Sequence, residues 1–168
     1  MNRILILHDG SDFSRQIFSH VSKLLAPKEN ELILLRVVPD PTGITGAPPR
    51  PMSVDVPALM YNSQADVEHA SHPIYQSQEL DSLKAKVLEE LEDDAHYLRQ
   101  AGFGVSVQCQ LGDAAHEIVK FSNSGRVDAI AMTTHGRSGL SRIIFGSVAQ
   151  AVLRDIAVPI ILLRPAPI

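Results

Sequence analysis

The stretch Thr133-Thr134-His135-Gly136-Arg137-Ser138-Gly139, running on through Leu140-Ser141-Arg142-Ile143-Ile144-Phe145 to Gly146-Ser147, collects residue types suited to holding a phosphate. Gly136 and Gly139 let the backbone bend with φ > 0 and bring its amides close to a ligand. Gly146-Ser147 opens a helix, whose free amides and positive dipole end suit phosphate oxygens. Ser147 adds a hydroxyl donor or serves as the cap of that helix. Arg137 and Arg142 supply charge. From Ala129 to Arg154 there is no Asp or Glu against three arginines, a local footprint that fits a polyphosphate. The pattern is neither a Walker loop, because no Lys precedes the Ser, nor the dinucleotide G-x-G-x-x-G. It also lacks the G-x-S-x-G spacing of a nucleophile elbow. A second polar stretch, His8-Asp9-Gly10-Ser11, follows the first apolar run.

Both stretches have to be held by neighbouring elements. Arg3-Ile4-Leu5-Ile6-Leu7-His8 is apolar without alternation, as in a strand buried on both faces of a parallel sheet. Ser11 or Asp12 caps the helix that follows, in which Phe13, Ile17, Val21, Leu24 and Leu25 recur at helical spacing. A second run, Leu32 to Val38, ends at Pro39, which completes a βαβ unit. Residues 39 to 75 then hold seven of the eleven prolines and no persistent period. They read as a long insertion, with a short helical turn at Val56 to Tyr61. Gln78 to Gln100 steps by threes and fours through Leu80, Leu83, Val87, Leu91, Ala95 and Leu98, and its other face carries Glu79, Glu89, Glu90, Glu92, Asp93 and Asp94. Gly102 and Gly104 end that helix. Val105 to Leu111 alternates as a third strand, and a helix with Ile118, Val119 and Phe121 runs to Gly125. Val127 to Met132 is a fourth strand, a short helix starts near Gly146, and Val158 to Leu163 is the last strand. This order predicts an α/β fold, a five-stranded doubly wound parallel sheet with helices on both faces. In such a sheet the ligand crevice lies beyond the carboxyl ends of the strands, where both polar stretches fall.

Composition narrows the classes. A chain of 168 residues predicts one domain carrying the insertion at about 39–75. The formal net charge of −4 and the sequence pI of about 5.9 disfavour nucleic acid as a partner. Between Gln76 and Ala101 there are seven acids and three bases, so the long helix alone accounts for that charge. The single cysteine, Cys109, excludes an internal disulfide and fits a reducing compartment. No apolar run approaches the ~20 residues of a membrane span. The first apolar run is too short for a secretory signal, so the expected location is cytoplasmic, with no membrane partner.

The stretch T-T-H-G-R-S-G-L-S-R-I-I-F-G-S-V-A-Q-A-V-L-R, ending in V-P-I-I-L-L-R-P, resembles the universal stress protein family. I-L-I-L-H-D-G-S-D-F-S, L-L-R-V-V-P and G-D-A-A-H-E-I agree with it, and only residues 39 to 75 fall outside the likeness. The resemblance implies a Rossmann-like fold of the adenine nucleotide alpha hydrolase type. The family's ATP-binding subgroup is marked by G-x2-G-x9-G-[ST]. Here Gly136, nine residues and Gly146-Ser147 keep the spacing, and Thr133 replaces the first glycine. If that position needs a left-handed backbone, the β-branched residue weakens binding; if it needs only small size, Thr133 serves. Leu7, where relatives often have Pro, and His8 are further departures. Carried over by position, the resemblance places adenine against Leu7 and Val37, with Asp9 near the ribose or a metal-bound phosphate. The triphosphate then runs along Gly136, Arg137, Ser138 and Gly139, with His135 orienting the loop, and ends at Gly146, Ser147 and Val148. Mg²⁺ is held by phosphate oxygens and water.

Other residues have plainer readings. His69 and His72 lack the further fixed ligands a zinc site needs. His116 reads as a surface residue, Cys109 as an inert core thiol, and the acidic stripe of the long helix as a solvated face. No base, nucleophile and oxyanion donors can be assembled, so no catalytic residue is assigned. The leading reading is a regulatory ATP-binding protein acting in a stress response. The alternatives are slow ATP hydrolysis and a nucleotide-free dimeric interaction module. Val158 to Leu163, apolar on both faces at a sheet edge, predicts a homodimer formed through that strand, the assembly the resemblance also implies.

Overall fold

The computed structural model describes residues 1–41, 73–134 and 146–166. Its strands are β1 (Asn2–Leu7), β2 (Asn30–Val38), β3 (Gly104–Leu111), β4 (Ala129–Thr133) and β5 (Ile160–Leu163). They form one sheet in the order β3-β2-β1-β4-β5, parallel at every pairing. The helices are α1 (Asp12–Leu24), α2 (Pro73–Gln100), α3 (Ala114–Phe121) and α4 (Ser147–Asp155). The fold expected from the apolar runs is therefore the fold observed.

Strand alternation divides the core. Ile4 and Ile6 of β1 turn to one face with Leu32 and Leu34, where α1 supplies Ile17, Phe18 and Val21 and α2 supplies Leu91 and Leu98. Leu5 and Leu7 turn to the other face with Ile33 and Leu35, against Ile118 of α3 and Val152 of α4. Both faces are covered, which is why these strands are apolar at every position rather than at every second one. Full burial of each Leu or Ile contributes about 1.5–3 kcal/mol.

Several boundaries differ from the expected ones. α2 begins at Pro73 rather than Gln78; proline is accepted at a helix start because the amide it lacks has no intrahelical partner there. The α-helical part of α3 ends at Phe121, and a wider π-helical turn, Ser122–Arg126, carries the chain through Gly125. Ser122 Oγ donates to Ile118 O at 2.8 Å within that turn. Gly104 opens β3 instead of closing α2. The helical turn expected at Val56 to Tyr61 lies outside the described residues. Among the described residues, no helix is long and apolar enough to cross a membrane.

Candidate functional site

The chain winds outward from β1 through β2 to β3 and then returns past β1 to β4 and β5. The direction reverses between β1 and β4, and there the two strands part. Their pairing ends at Ile6 opposite Ala131. Each stays paired with its outer neighbour: Leu7 lies opposite Leu35 and Thr133 opposite Leu163. Beyond the strand ends, His8 N donates to Leu35 O at 3.0 Å and Thr134 N to Leu163 O at 2.8 Å. The split opens a cavity of about 300 Å³, lined on the β1 side by Leu7, His8 and Asp9 and on the β4 side by Met132, Thr133 and Thr134. Val37 borders it from β2, Ala114 and Ile118 from α3, and Gly146, Ser147 and Val148 from the start of α4.

Seven of the site residues expected from the sequence thus meet at one cavity: Leu7, Asp9, Val37, Thr133, Gly146, Ser147 and Val148. His135, Gly136, Arg137, Ser138 and Gly139 lie outside the described residues, as do His69 and His72. Sequence reasoning missed Met132, Ile118 and Ser14, which share the lining. Their periodicity marks them as inward-facing, but period alone does not distinguish a cavity wall from a filled core.

The turn after β1 is tightly built. Ser11 caps α1, its hydroxyl accepting from Ser14 N at 3.2 Å. Its own amide and hydroxyl donate to Asp9 Oδ1 at 3.0 and 2.6 Å. Between them Gly10 takes φ +86, and a Cβ there would stand 2.8 Å from the Arg36 guanidinium. A side chain at position 10 would meet both a strained backbone and a cation that Glu90 of α2 holds at 2.6 Å.

At the other wall, Gly146 N donates to Thr134 O at 3.0 Å, so the residues flanking the glycine-rich stretch are bonded to each other. Gly146 is itself the cap of α4, with no side-chain bond, and Ser147 is the first helical residue. Ser147 is therefore not the cap; exposed at the mouth of the cavity, it presents its hydroxyl beside the first amides of α4. Thr133 closes β4 in extended conformation, and among the described residues only glycines have positive φ. The left-handed requirement considered for position 133 is absent, so the consequence of the threonine lies in its side chain and not in its backbone.

Other expectations meet a mixed outcome. His116 is exposed, as expected. Cys109 is only partly buried, packed at the margin of the α1–α2 core, and that burial pushes its thiol pKa up. The acidic stripe of α2 is not wholly solvated. Asp94 is 11 % exposed in its side chain and holds Arg15 Nε at 2.8 Å, and Glu90 holds Arg36. Spacing marked both acids as outward, but the amino-terminal half of α1 and the end of β2 bring arginines to them.

A parallel sheet wound in both directions, open at its switch point and faced there by a helix amino terminus, defines a class of α/β proteins that take small ligands at the carboxyl edge. Within that class, the chain belongs to the universal stress protein family, whose sequence model matches residues 1–164. Relatives include Universal stress protein MJ0531 of Methanocaldococcus jannaschii, 26 % identical over 96 % of this chain and 81 % of the relative. Universal stress protein MJ0577 of the same organism is 28 % identical over 96 % of this chain and 94 % of its own. The solved structure of MJ0577 superposes with a TM-score of 0.72 at 22 % identity, covering 99 % of this chain and 98 % of that one. A universal stress protein in complex with cAMP gives 0.62 at 14 % identity, covering 98 % of each. An Arabidopsis thaliana family member with AMP bound gives 0.59 at 14 % identity, covering 99 % and 93 %.

Proposed function

We propose that this chain binds an adenine nucleotide in the switch-point cavity and acts as a nucleotide-responsive regulatory protein in a stress response. The observation that carries the reading is the parting of β1 from β4 after Ile6 and Ala131, which sets an apolar slot beside the first amides of α4. An adenine ring would lie against Leu7 and Val37, the ribose by Asp9, and the phosphates toward Gly146, Ser147 and Val148, where helix amides favour anions. Family members complexed with cAMP and AMP support an adenine nucleotide as the ligand class. ATP is the form favoured by the Gly136-to-Ser147 spacing and by its arginines.

Asp9 is the sole carboxylate lining the cavity among the described residues, and Ser11 already occupies its Oδ1. This donor set suits a Mg²⁺ ion that takes most of its ligands from phosphate and water. Mass spectrometry of small molecules released from the purified protein tests the reading: an adenine nucleotide at near-stoichiometric yield is the expected result. A protein that releases none, and that acquires none after incubation with ATP, AMP or cAMP, would overturn it. Phosphate release from ATP over hours, abolished by Asp9→Asn, would convert the reading to slow hydrolysis.

We also propose a homodimer through β5. Ile160–Leu163 forms an outer strand whose four residues are each only part-buried, and an apolar edge of this kind invites pairing with its copy.

A further inference from the structure

β3 alternates apolar and polar residues, and the reason lies in what covers its two faces. Val105, Val107, Cys109 and Leu111 pack on the α1–α2 core, whereas Ser106, Gln108 and Gln110 turn to the α3–α4 side. On that side α3 ends at Phe121, and among the described residues no side chain of β3 joins the core. Between Phe121 and the sheet lies a second cleft, of about 200 Å³, lined by Arg3 of β1, Glu31 and Ile33 of β2, and Ser106 and Gln108 of β3. It sits at the carboxyl end of α3, while Ala114 and Ile118 of the same helix border the first cavity. Arg3 and Glu31 stand opposite each other in the β1–β2 register and share this face, yet they make no ion pair. Among the described residues, the side chains of Arg3, Glu31, Ser106 and Gln108 have no hydrogen-bond or ion-pair partner. Ile33 beneath them is 7 % exposed, so an apolar floor lies under a cation, an anion, a hydroxyl and an amide.

We propose that this cleft is a second binding site, whose ligand is a small zwitterion: a free α-amino acid with an apolar side chain. Opposite charges facing each other across neighbouring strands ordinarily attract; left apart, they present both signs to one occupant. The ligand carboxylate goes to Arg3, whose planar fork of donors matches it. The ammonium goes to Glu31, Ser106 and Gln108 bond the remaining polar atoms, and the apolar side chain covers Ile33 and Phe121. A ligand with a single charge leaves the other wall unmatched, so the cleft discriminates by requiring both. At about 200 Å³ it is smaller than the roughly 300–1,000 Å³ of a drug-sized pocket, which suits one amino acid rather than a peptide. No residue lines both cavities, so this site stands or falls apart from the nucleotide reading.

The test is an NMR titration of the isotope-labelled full chain, without nucleotide, with L-leucine and L-phenylalanine. Phenethylamine and 3-phenylpropionate, which carry one of the two charges each, are titrated beside them. Expected are saturable shifts of the Ser106, Gln108 and Phe121 amides, with a dissociation constant of about 1 mM or below for at least one of the amino acids. Each single-charge analogue should bind about tenfold more weakly or worse. Arg3→Gln and Glu31→Gln should each weaken binding by a similar factor and leave the urea midpoint unchanged, since neither side chain holds another element in place. No shift at these residues with either amino acid up to about 10 mM would overturn the site. So would single-charge analogues that bind as tightly as the amino acids, or binding that survives both substitutions.

Discussion

At Gly10 the backbone has φ +86 and an arginine occupies the space where a Cβ would stand. Gly10→Ala should cost about 1–2 kcal/mol in chemical denaturation, since it strains the left-handed position and pushes Arg36 from Glu90. Gly146 differs in kind: its φ of −57 suits any residue, and its constraint is closeness, with a Cβ 3.4 Å from Thr134 O. Gly146→Val should therefore leave stability within about 1 kcal/mol yet weaken nucleotide binding about tenfold or more, ~1.4 kcal/mol. A binding constant unchanged in that variant would remove Gly146 from the site. His8 adds a pH dependence of stability with a definite sign. Its folded-state pKa is lowered by burial, so below about 6.5 the unfolded chain takes up more protons than the folded one. Stability from this group is complete above that pH and declines as acid passes the folded pKa. Urea midpoints of the parent chain should fall between about pH 7 and 5 more steeply than those of His8→Gln.

Among the elements, α1 depends on Ser11, whose hydroxyl both caps the helix and anchors Asp9. Ser11→Ala should destabilise by about 1 kcal/mol and loosen the Asp9 turn, whereas Ser11→Thr should retain both. The strands were legible in the sequence because burial on two faces makes them apolar at every position, as in Ile4 to Leu7 and Leu32 to Leu35. Their parallel pairing followed from connections too long for hairpins. The cavity's two walls were legible as polar stretches at strand ends, and the described residues of those stretches, Asp9 on one side and Thr133, Gly146 and Ser147 on the other, line it together. The Asp94–Arg15 pair was not legible: it depends on the azimuth of α2 against α1, which heptad-like spacing leaves open. For the same reason Asp94 and Glu90 looked like members of a solvated stripe. Of the two roles open to Ser147, hydroxyl donor or cap, the second falls to Gly146, because either residue of a Gly-Ser pair serves as a helix cap.

For the molecule as a whole, the net charge of −4 is uneven: the sequence from Ala129 to Arg154 holds no acid, while the acidic α2 packs on the face of the sheet opposite α4. This distribution admits a small anion while disfavouring nucleic acid. The sheet also ends in two outer strands, β3 and β5. β3 carries Ser106, Gln108 and Gln110, whereas β5 is Ile160–Leu163 without a polar residue, which is the reason the proposed dimer is assigned to β5. Light scattering at micromolar protein should give a dimer mass, and Leu162→Pro, which removes an amide pointing away from β4, should shift it toward the monomer. The central claim is nucleotide binding at the β1–β4 switch point, and isothermal calorimetry on demonstrably ligand-free protein tests it most directly. Titration with ATP and Mg²⁺ should give a saturable heat at one nucleotide per chain, lost or strongly weakened in Gly146→Val. Absence of heat from the parent protein at several temperatures, with AMP and cAMP equally silent, would contradict it.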